Sequence, residues 1–207
     1  MTGNQLPGRT PGAPAEAMPL EATGVRIPRI GLGTFKTSPD EARTIVRHAV
    51  EAGYRHIDTA LAYKNESGVG QDIRDSSVPR DEIFVTTKFP HTLAAPVDVV
   101  DAARASIRAL DLGYVDLLLM HWPSGEVPVG ETLEALAPLV GDGLIRSLGL
   151  SNAPAALVRQ ALAVAPLATV QVEHYPLPAS GHAARTRHRG RDDAHGVCAV
   201  RRGASLR

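Results

Sequence analysis

The segment VDLLLMHWPS, residues 115–124, carries the pattern that decides the fold. The strand predicted over Val115–Met120 is apolar almost throughout, without the alternation of a strand that faces water on one side. Such continuous runs are typical of parallel strands that are buried on both faces. His121 follows directly, so a polar ring stands at the carboxyl end of a buried strand.

Similar strands recur on both sides of this segment, at intervals of about 25 to 30 residues, which is the length of one βαβ step. The other predicted strands are Arg29–Gly33, Tyr54–Asp58, Ile83–Lys88, Ile145–Leu150 and Thr169–Val172. Helical patterns lie between them, over Asn65–Arg74, Val97–Leu110, Thr132–Val140 and Pro154–Ala165. The first helix has the clearest limits, because Ser38-Pro39-Asp40-Glu41 forms a capping box and Gly53 supplies an end signal. The chain therefore predicts about six βα units in succession.

An open doubly wound sheet and a (β/α)8 barrel both fit this alternation. The polar residues at the strand ends distinguish them. The second, third and fourth strands end at Asp58, Lys88 and His121, while Ser151 and Asn152 follow the fifth and Gln171 lies in the sixth. Barrel enzymes build their sites from successive strands in this way, whereas an open sheet concentrates such groups at one switch point. The prediction is a (β/α)8 TIM barrel of class α/β, incomplete in this chain.

Composition narrows the possible partners and cellular setting. The 22 basic residues balance the 22 acidic ones, which argues against nucleic-acid or anionic membrane binding. The single cysteine, Cys198, provides neither a disulfide framework nor a cysteine-based zinc site. No run reaches the roughly 18 apolar residues of a membrane span. We expect a cytoplasmic protein that is monomeric if folded and holds no metal.

The chain divides into three parts by its pattern. Residues 1–17 are rich in Pro, Gly, Thr and Ala and predict a disordered leader. Residues 18–176 hold the predicted partial barrel. Residues 177–207 contain seven Arg and two Asp and have no strand-like run except 196–200, so we expect an unrelated, disordered tail. The loss of periodicity after about residue 176 predicts that the barrel is cut short there by truncation or a frameshift.

Several short motifs occur together in one order and spacing. They are Gly31-Leu32-Gly33-Thr34-Phe35, His56-Ile57-Asp58-Thr59-Ala60, Ala62-Tyr63-Lys64-Asn65-Glu66, Thr87-Lys88, His121-Trp122-Pro123-Ser124, Gly149-Leu150-Ser151-Asn152 and Gln171-Val172-Glu173. In this combination the chain resembles the aldo/keto reductase family from about residue 18 to 176. The Val-Pro-Arg turn before the third strand and the His-Trp-Pro-Ser run most resemble bacterial 2,5-diketo-gluconate reductases.

The resemblance implies NADPH-dependent reduction of an aldehyde or ketone, with Asp58, Tyr63, Lys88 and His121 as catalytic residues. Such a reduction needs a hydride donor and a proton for the developing alkoxide. Tyr63 would give the proton, and a neighbouring Lys88 ammonium would lower the pKa of the phenol. Asp58 would pair with Lys88, and His121 would orient the carbonyl oxygen of the small-molecule substrate.

The resemblance also implies residues that bind the cofactor and the substrate. Cofactor contacts would come from Gly33, Thr34, Asp58, Ser151, Asn152 and Gln171, the last three holding the nicotinamide carboxamide. Phe35, His121 and Trp122 would line the substrate pocket. The loops that grip the cofactor's phosphates in this family, after strands seven and eight, have no counterpart in the sequence. For the NADPH preference, the resemblance is therefore the only support.

Each of these residues also has an ordinary structural interpretation. A single Asp after a strand is commonly a turn or helix-capping residue, and a single buried His is commonly a satisfied core residue. Their joint placement on successive strand ends favours the catalytic interpretation. The alternative for the whole chain is an inactive, truncated remnant of such an enzyme that cannot bind cofactor.

Overall fold

The computed structural model describes residues 20–22, 25–173 and 197–199 of the chain. The predicted leader, residues 1–17, lies outside the described residues. So does the predicted tail, residues 177–207, apart from a strand at Val197–Ala199. That strand falls in the one run after Pro176 that the sequence left open as extended structure.

Six parallel strands form the body of the described part of the chain. They are β3 (Leu32–Gly33), β4 (His56–Asp58), β5 (Phe84–Phe89), β6 (Leu117–Met120), β7 (Leu148–Ser151) and β8 (Leu167–Glu173). Each pairs with its neighbour in the sequence, so their spatial order is their chain order. Two strands precede them as an antiparallel pair, β1 (Leu20–Ala22) and β2 (Val25–Ile27), and β9 (Val197–Ala199) lies antiparallel to β8.

Five helices connect the parallel strands: α1 (Pro39–Glu51), α2 (Glu66–Asp75), α3 (Pro96–Leu110), α4 (Val129–Gly141) and α5 (Ala155–Val164). This alternation is the α/β architecture of an incomplete (β/α)8 barrel, as the sequence predicted. The predicted strands and helices are all present, with limits that differ by a few residues. The strand predicted from Val115 begins only at Leu117, because Val115 makes an isolated bridge to Ile145 instead.

The first helix begins and ends where the sequence indicated. The Ser38 hydroxyl accepts a hydrogen bond from the Glu41 amide, and the Glu41 carboxylate accepts one from the Ser38 amide. Gly53, directly after the helix, has a φ of 93°, a left-handed conformation that glycine adopts without strain. The local signals therefore fix both ends of the helix that follows β3.

The core has two layers, on the two faces of the sheet. Between strands and helices lies the larger layer, which includes Val46, Ile57, Leu118 and Leu136. The inner face holds a smaller cluster at the amino ends of the strands: Ile27, Phe84, Leu117, Leu119 and Ala168. Ile27 comes from β2, so the amino-terminal strand pair closes the inner face from below. The carboxyl ends of the strands are left for polar side chains.

Candidate active site

The candidate site lies where the parallel strands reach their carboxyl ends. Asp58 is the last residue of β4, Lys88 lies near the end of β5, and His121 follows β6 directly. Because these strands are adjacent and parallel, their carboxyl ends lie side by side. The sequence prediction that these residues meet at one end of the sheet is therefore consistent with the register.

Lys88 and Asp58 form a buried ion pair at the base of this site. Their exposed fractions are 2% and 4%, and the Lys88 ammonium donates a hydrogen bond to Asp58 Oδ1. The ammonium also donates to the Thr59 carbonyl oxygen at 3.0 Å. Gln171 Nε2 donates to the second carboxylate oxygen, Asp58 Oδ2, at 2.8 Å. Both oxygens of Asp58 thus have a donor, as a buried carboxylate requires.

Tyr63 stands above this pair at the end of a 3₁₀ turn, Leu61–Tyr63. Its ring centroid lies 5.4 Å from Lys88 Nζ and 5.7 Å from the centroid of the His121 ring. Phe35 packs against the other side at 5.1 Å. Asp58, Tyr63, Lys88 and His121, which we call the four-residue cluster, therefore lie together in the structure.

The electrostatic surroundings of Tyr63 differ from the sequence expectation. We expected the Lys88 ammonium to lower the pKa of the phenol, but the pKa is raised from its ordinary value. Burial is the main cause, and the negative charge of Asp58 adds to it. The ammonium is paired with a carboxylate, which offsets its charge as seen by the phenol. Tyr63 is therefore a protonated phenol at neutral pH.

His121 has the opposite shift. Burial and then the positive charge of Lys88 lower its pKa to about 4, against a smaller opposing effect of Asp58. An imidazole with this pKa is neutral at neutral pH, so it can accept or donate a hydrogen bond without carrying charge. The cluster thus presents two neutral rings above a buried ion pair.

Comparisons with known proteins identify the family of this chain. The sequence profile of the aldo/keto reductase family matches residues 29–194. The chain belongs to this family. Aldo-keto reductase family 1 member A1 of Mus musculus is 40% identical in an alignment of 180 residues, and the match covers 74% of this chain and 55% of that protein. Methylglyoxal reductase DkgB of Yersinia pestis is 42% identical over 156 residues, 73% of this chain and 58% of that protein.

Solved structures of the aldo/keto reductase family support the fold. A putative 2,5-diketo-D-gluconic acid reductase B matches with a TM-score of 0.73 and 37% identity, covering 76% of this chain and 57% of that one. An aldo/keto reductase from Brucella melitensis matches with a TM-score of 0.71 and 36% identity, covering 75% and 62%. This chain spans little more than half the length of the curated relatives described above. The predicted likeness to 2,5-diketo-gluconate reductases is consistent with these matches.

The residues that the family resemblance assigned to the cofactor surround the cluster. Ser151 ends β7, and Asn152, with a φ of 57°, donates hydrogen bonds to Ser151 Oγ at 3.0 Å and to the His121 carbonyl at 3.1 Å. Gln171 lies opposite Ser151 in the register of β7 and β8. Its side-chain amide donates a hydrogen bond to Asp58, and the sequence did not predict this contact.

On the other side of the cluster, the end of β3 is joined to the end of β4. The Thr34 amide donates to the Asp58 carbonyl at 3.0 Å, and Gly33 lies opposite Asp58 in the register. A Cβ at Gly33 would meet nothing within 4 Å, whereas one at Gly31 would lie 2.8 Å from His56 Nδ1. Of these two glycines, only Gly31 stands where a side chain would clash.

Two aromatic side chains of the predicted substrate pocket are accessible. Phe35 is 45% exposed and Trp122 39% exposed, while the neighbouring strand residue Met120 is buried as expected. An exposed Phe35 ring in contact with Tyr63 forms an apolar wall beside the phenol. Within residues 25–173, no group of three side chains could hold a metal ion, and no helix is long and apolar enough to cross a membrane.

Asn65 and Thr59 are the polar residues that the sequence analysis left without a role. Asn65 has an exposed fraction of 0% and accepts a hydrogen bond from the Thr59 hydroxyl at 2.9 Å. In the sequence, an Asn directly before a helix reads as a helix cap. Its actual contacts are with other loops, which only the folded arrangement brings near.

Proposed function

We propose that this chain carries the reaction centre of an NADPH-dependent carbonyl reductase, which converts aldehydes or ketones to alcohols. The observation that carries the proposal is the buried Asp58–Lys88 pair beneath the Tyr63 phenol, with the His121 ring beside it. Three such groups at neighbouring strand ends, with the Tyr63 phenol from the following turn, fit the reduction of a carbonyl. The family membership and the name of the Yersinia relative, a methylglyoxal reductase, favour small carbonyl substrates.

In this reaction the carbonyl carbon gains a hydride and the carbonyl oxygen gains a proton. When bound, the reduced nicotinamide supplies the hydride. Tyr63 holds the proton, because its raised pKa keeps the phenol protonated, and gives it to the oxygen as alkoxide character develops. The developing alkoxide is the stronger base, so transfer from the phenol is favourable. Solvent returns a proton to Tyr63 after the alcohol leaves.

The other members of the cluster support this transfer. The Lys88 ammonium stabilises the negative charge that appears on the phenol oxygen as the proton departs. Asp58 holds the ammonium in place, since it is the buried carboxylate paired with it. The neutral His121 ring donates a hydrogen bond to the substrate oxygen and orients the carbonyl.

The chemistry of the side chains on β7 and β8 fits a nicotinamide carboxamide. A carboxamide has one acceptor oxygen and an NH2 donor, and a hydroxyl and two side-chain amides can serve both. Ser151, Asn152 and Gln171 offer these groups beside the cluster, and Gly33 and Thr34 flank it on the other side. The choice of NADPH over NADH rests on the family resemblance alone.

Tyr63→Phe tests the proposal directly. The variant keeps the ring but loses the proton donor, so we expect carbonyl reduction to fall by about 100- to 10,000-fold. The measurement is NADPH consumption with methylglyoxal and with a simple aromatic aldehyde. Tyr114→Phe is the matched control, because it removes a phenol hydroxyl from a ring held between Arg80 and Arg146, away from the cluster. We expect this control to retain its activity.

Two outcomes would contradict the proposal. If the wild-type protein leaves NADPH fluorescence unchanged, the chain does not bind the cofactor, as expected of an inactive remnant. If Tyr63→Phe turns over as fast as the wild type, Tyr63 is not the proton donor.

A further inference from the structure

We propose that Asn65 is a positioning residue that fixes both the ion pair and the phenol of the four-residue cluster. This inference rests on the proposed function and assigns a role to a residue that touches neither substrate nor cofactor. Asn65 follows Tyr63 by two positions and has an exposed fraction of 0%. Its side chain binds two other segments of the site.

The Asn65 amide nitrogen binds the loop that follows β3. Nδ2 donates to the Thr34 carbonyl at 2.8 Å, to the Thr37 carbonyl at 3.1 Å and to the Thr37 hydroxyl at 3.0 Å. Two hydrogens serve three acceptors, so at least one of these bonds is shared. Phe35, whose ring packs on Tyr63, lies inside this loop. The position of Phe35 thus depends on the Asn65 amide.

The Asn65 amide oxygen binds the strand end that carries the ion pair. Oδ1 accepts from the Thr59 hydroxyl at 2.9 Å, and the Thr59 carbonyl in turn accepts from the Lys88 ammonium. On the nitrogen side, the Thr34 amide donates to the Asp58 carbonyl at 3.0 Å. One buried side chain therefore connects to the Asp58 carbonyl through Thr34 and to Lys88 through Thr59.

The conformation of the chain at Asn65 also indicates this use of the side chain. Asn65 is the residue before α2, where an Asn side chain would ordinarily accept a hydrogen bond from the first turn of the helix. No side-chain cap bond is formed here. The preceding residue, Lys64, has a φ of 57°, which turns the chain sharply between the phenol and Asn65. The side chain therefore does not cap the helix; it binds the loops of the site instead.

Asn65→Ala tests the role against a matched structural change, Thr132→Val. Thr132 is also 0% exposed, and its hydroxyl donates to the Ala94 carbonyl at 2.7 Å, between α3 and α4. Both variants lose buried hydrogen bonding, so both are expected to lose stability toward urea. Only Asn65→Ala should lower kcat, by about 10- to 100-fold with a smaller change in KM, since misplaced groups slow the chemical step. Thr132→Val should keep its kcat.

Proton nuclear magnetic resonance of the same variants tests positioning without turnover. In the wild type we expect contacts between the ring protons of Tyr63 and Phe35, whose centroids are 5.1 Å apart. These contacts and the Tyr63 shifts should change in Asn65→Ala and persist in Thr132→Val. A wild type that reduces no carbonyl would contradict the proposed function, while this readout would still decide the role of Asn65.

If Asn65→Ala does not fold, the same measurements are made on Thr37→Val. This variant removes one of the three acceptors of the Asn65 amide, and we expect the same changes on a smaller scale. The proposal is overturned if the variant that folds keeps the Tyr63–Phe35 contacts, or if its kcat falls no further than that of Thr132→Val.

Discussion

Lys88 is a charge enclosed almost completely by protein. Its ammonium has an exposed fraction of 2% and is held by Asp58 and the Thr59 carbonyl. Removing a charge from water costs several kcal/mol, and a partner with good hydrogen bonds must offset that cost. We therefore propose that Lys88 serves the chemistry of the site rather than the stability of the fold.

Lys88→Met should separate the contribution of Lys88 to the chemistry from its contribution to stability. The variant keeps the length of the side chain but leaves the Asp58 carboxylate buried without its cation, so we expect a loss of about 3–5 kcal/mol in the free energy of unfolding. Adding Asp58→Asn removes the stranded charge and should recover much of that loss, yet carbonyl reduction should remain absent. Urea denaturation and NADPH consumption measure the two effects. If Lys88→Met and the double variant Lys88→Met/Asp58→Asn are equally stable, the loss does not come from the unpaired Asp58 carboxylate.

At this scale the sequence predicted which residues meet, but not all of their properties. The strand ends located Asp58, Lys88 and His121, because parallel strands bring their carboxyl ends together. The direction of the Tyr63 pKa shift was predicted wrongly, since it depends on how deeply the ring is buried and how Lys88 is neutralised. The contacts of Asn65 were missed because they join loops that are distant in the sequence.

Helix α2 is held between its neighbours by two close backbone contacts. A Cβ at Gly68 would lie 2.1 Å from the Pro39 carbonyl oxygen at the start of α1. A Cβ at Gly70 would lie 1.8 Å from the Leu110 carbonyl oxygen at the end of α3. Since the opposing atoms are backbone, no rotamer change could make room. These glycines allow three helices to pack against the strands that carry Asp58 and Lys88.

Gly70→Ala should therefore destabilise the protein despite the higher helix propensity of alanine. That propensity favours the variant by about 1 kcal/mol, whereas the clash forces α2 away from α3 and should cost more than this. Gly141→Ala in α4 is the control, because a Cβ there meets nothing within 4 Å. Thermal unfolding should show a lower midpoint for the first variant and an equal or higher one for the second. A rise for Gly70→Ala would contradict the close packing.

The elements were predictable where their patterns are long. Helix α1 has its capping box and terminal glycine, and β6 has an unbroken apolar run, so both were located within a few residues. The pair of β1 and β2 was not predicted, because strands of three residues are too short to show a period. Its ladder depends on the pairing of the two strands, and Ile27 of β2 packs in the inner cluster of the sheet.

On the scale of the molecule, the two ends of the sheet carry different kinds of side chain. At the amino ends, Ile27 is 3% exposed and fills the inner face together with Phe84, Leu117 and Leu119. At the carboxyl ends, the inner face carries the polar cluster instead. The apolar inner cluster and the four-residue cluster therefore lie at opposite ends of the sheet, which is the usual division between stability and chemistry in barrels of this class.

Ile27→Ala should lower stability without changing the chemistry. Truncating a buried Ile costs about 2–5 kcal/mol, and the cavity would open at the end remote from Tyr63. Ile30→Ala, at a side chain that is 55% exposed, is the control and should be nearly neutral. Below the unfolding transition, KM and kcat of Ile27→Ala should equal those of the wild type. A change in kcat would show that the two ends are coupled.

The order of the strands has a consequence for how the site assembles. Because each strand from β3 to β8 pairs with its immediate successor, most pairings close short stretches of chain, which favours rapid folding. The four-residue cluster needs only β4, β5 and β6, all contained in residues 56–121. Asp58, Tyr63 and Lys88 therefore precede His121 in the order of synthesis. The four residues of the cluster thus lie in one uninterrupted stretch of the sequence, whereas Ser151, Asn152 and Gln171, proposed to hold the cofactor, come later.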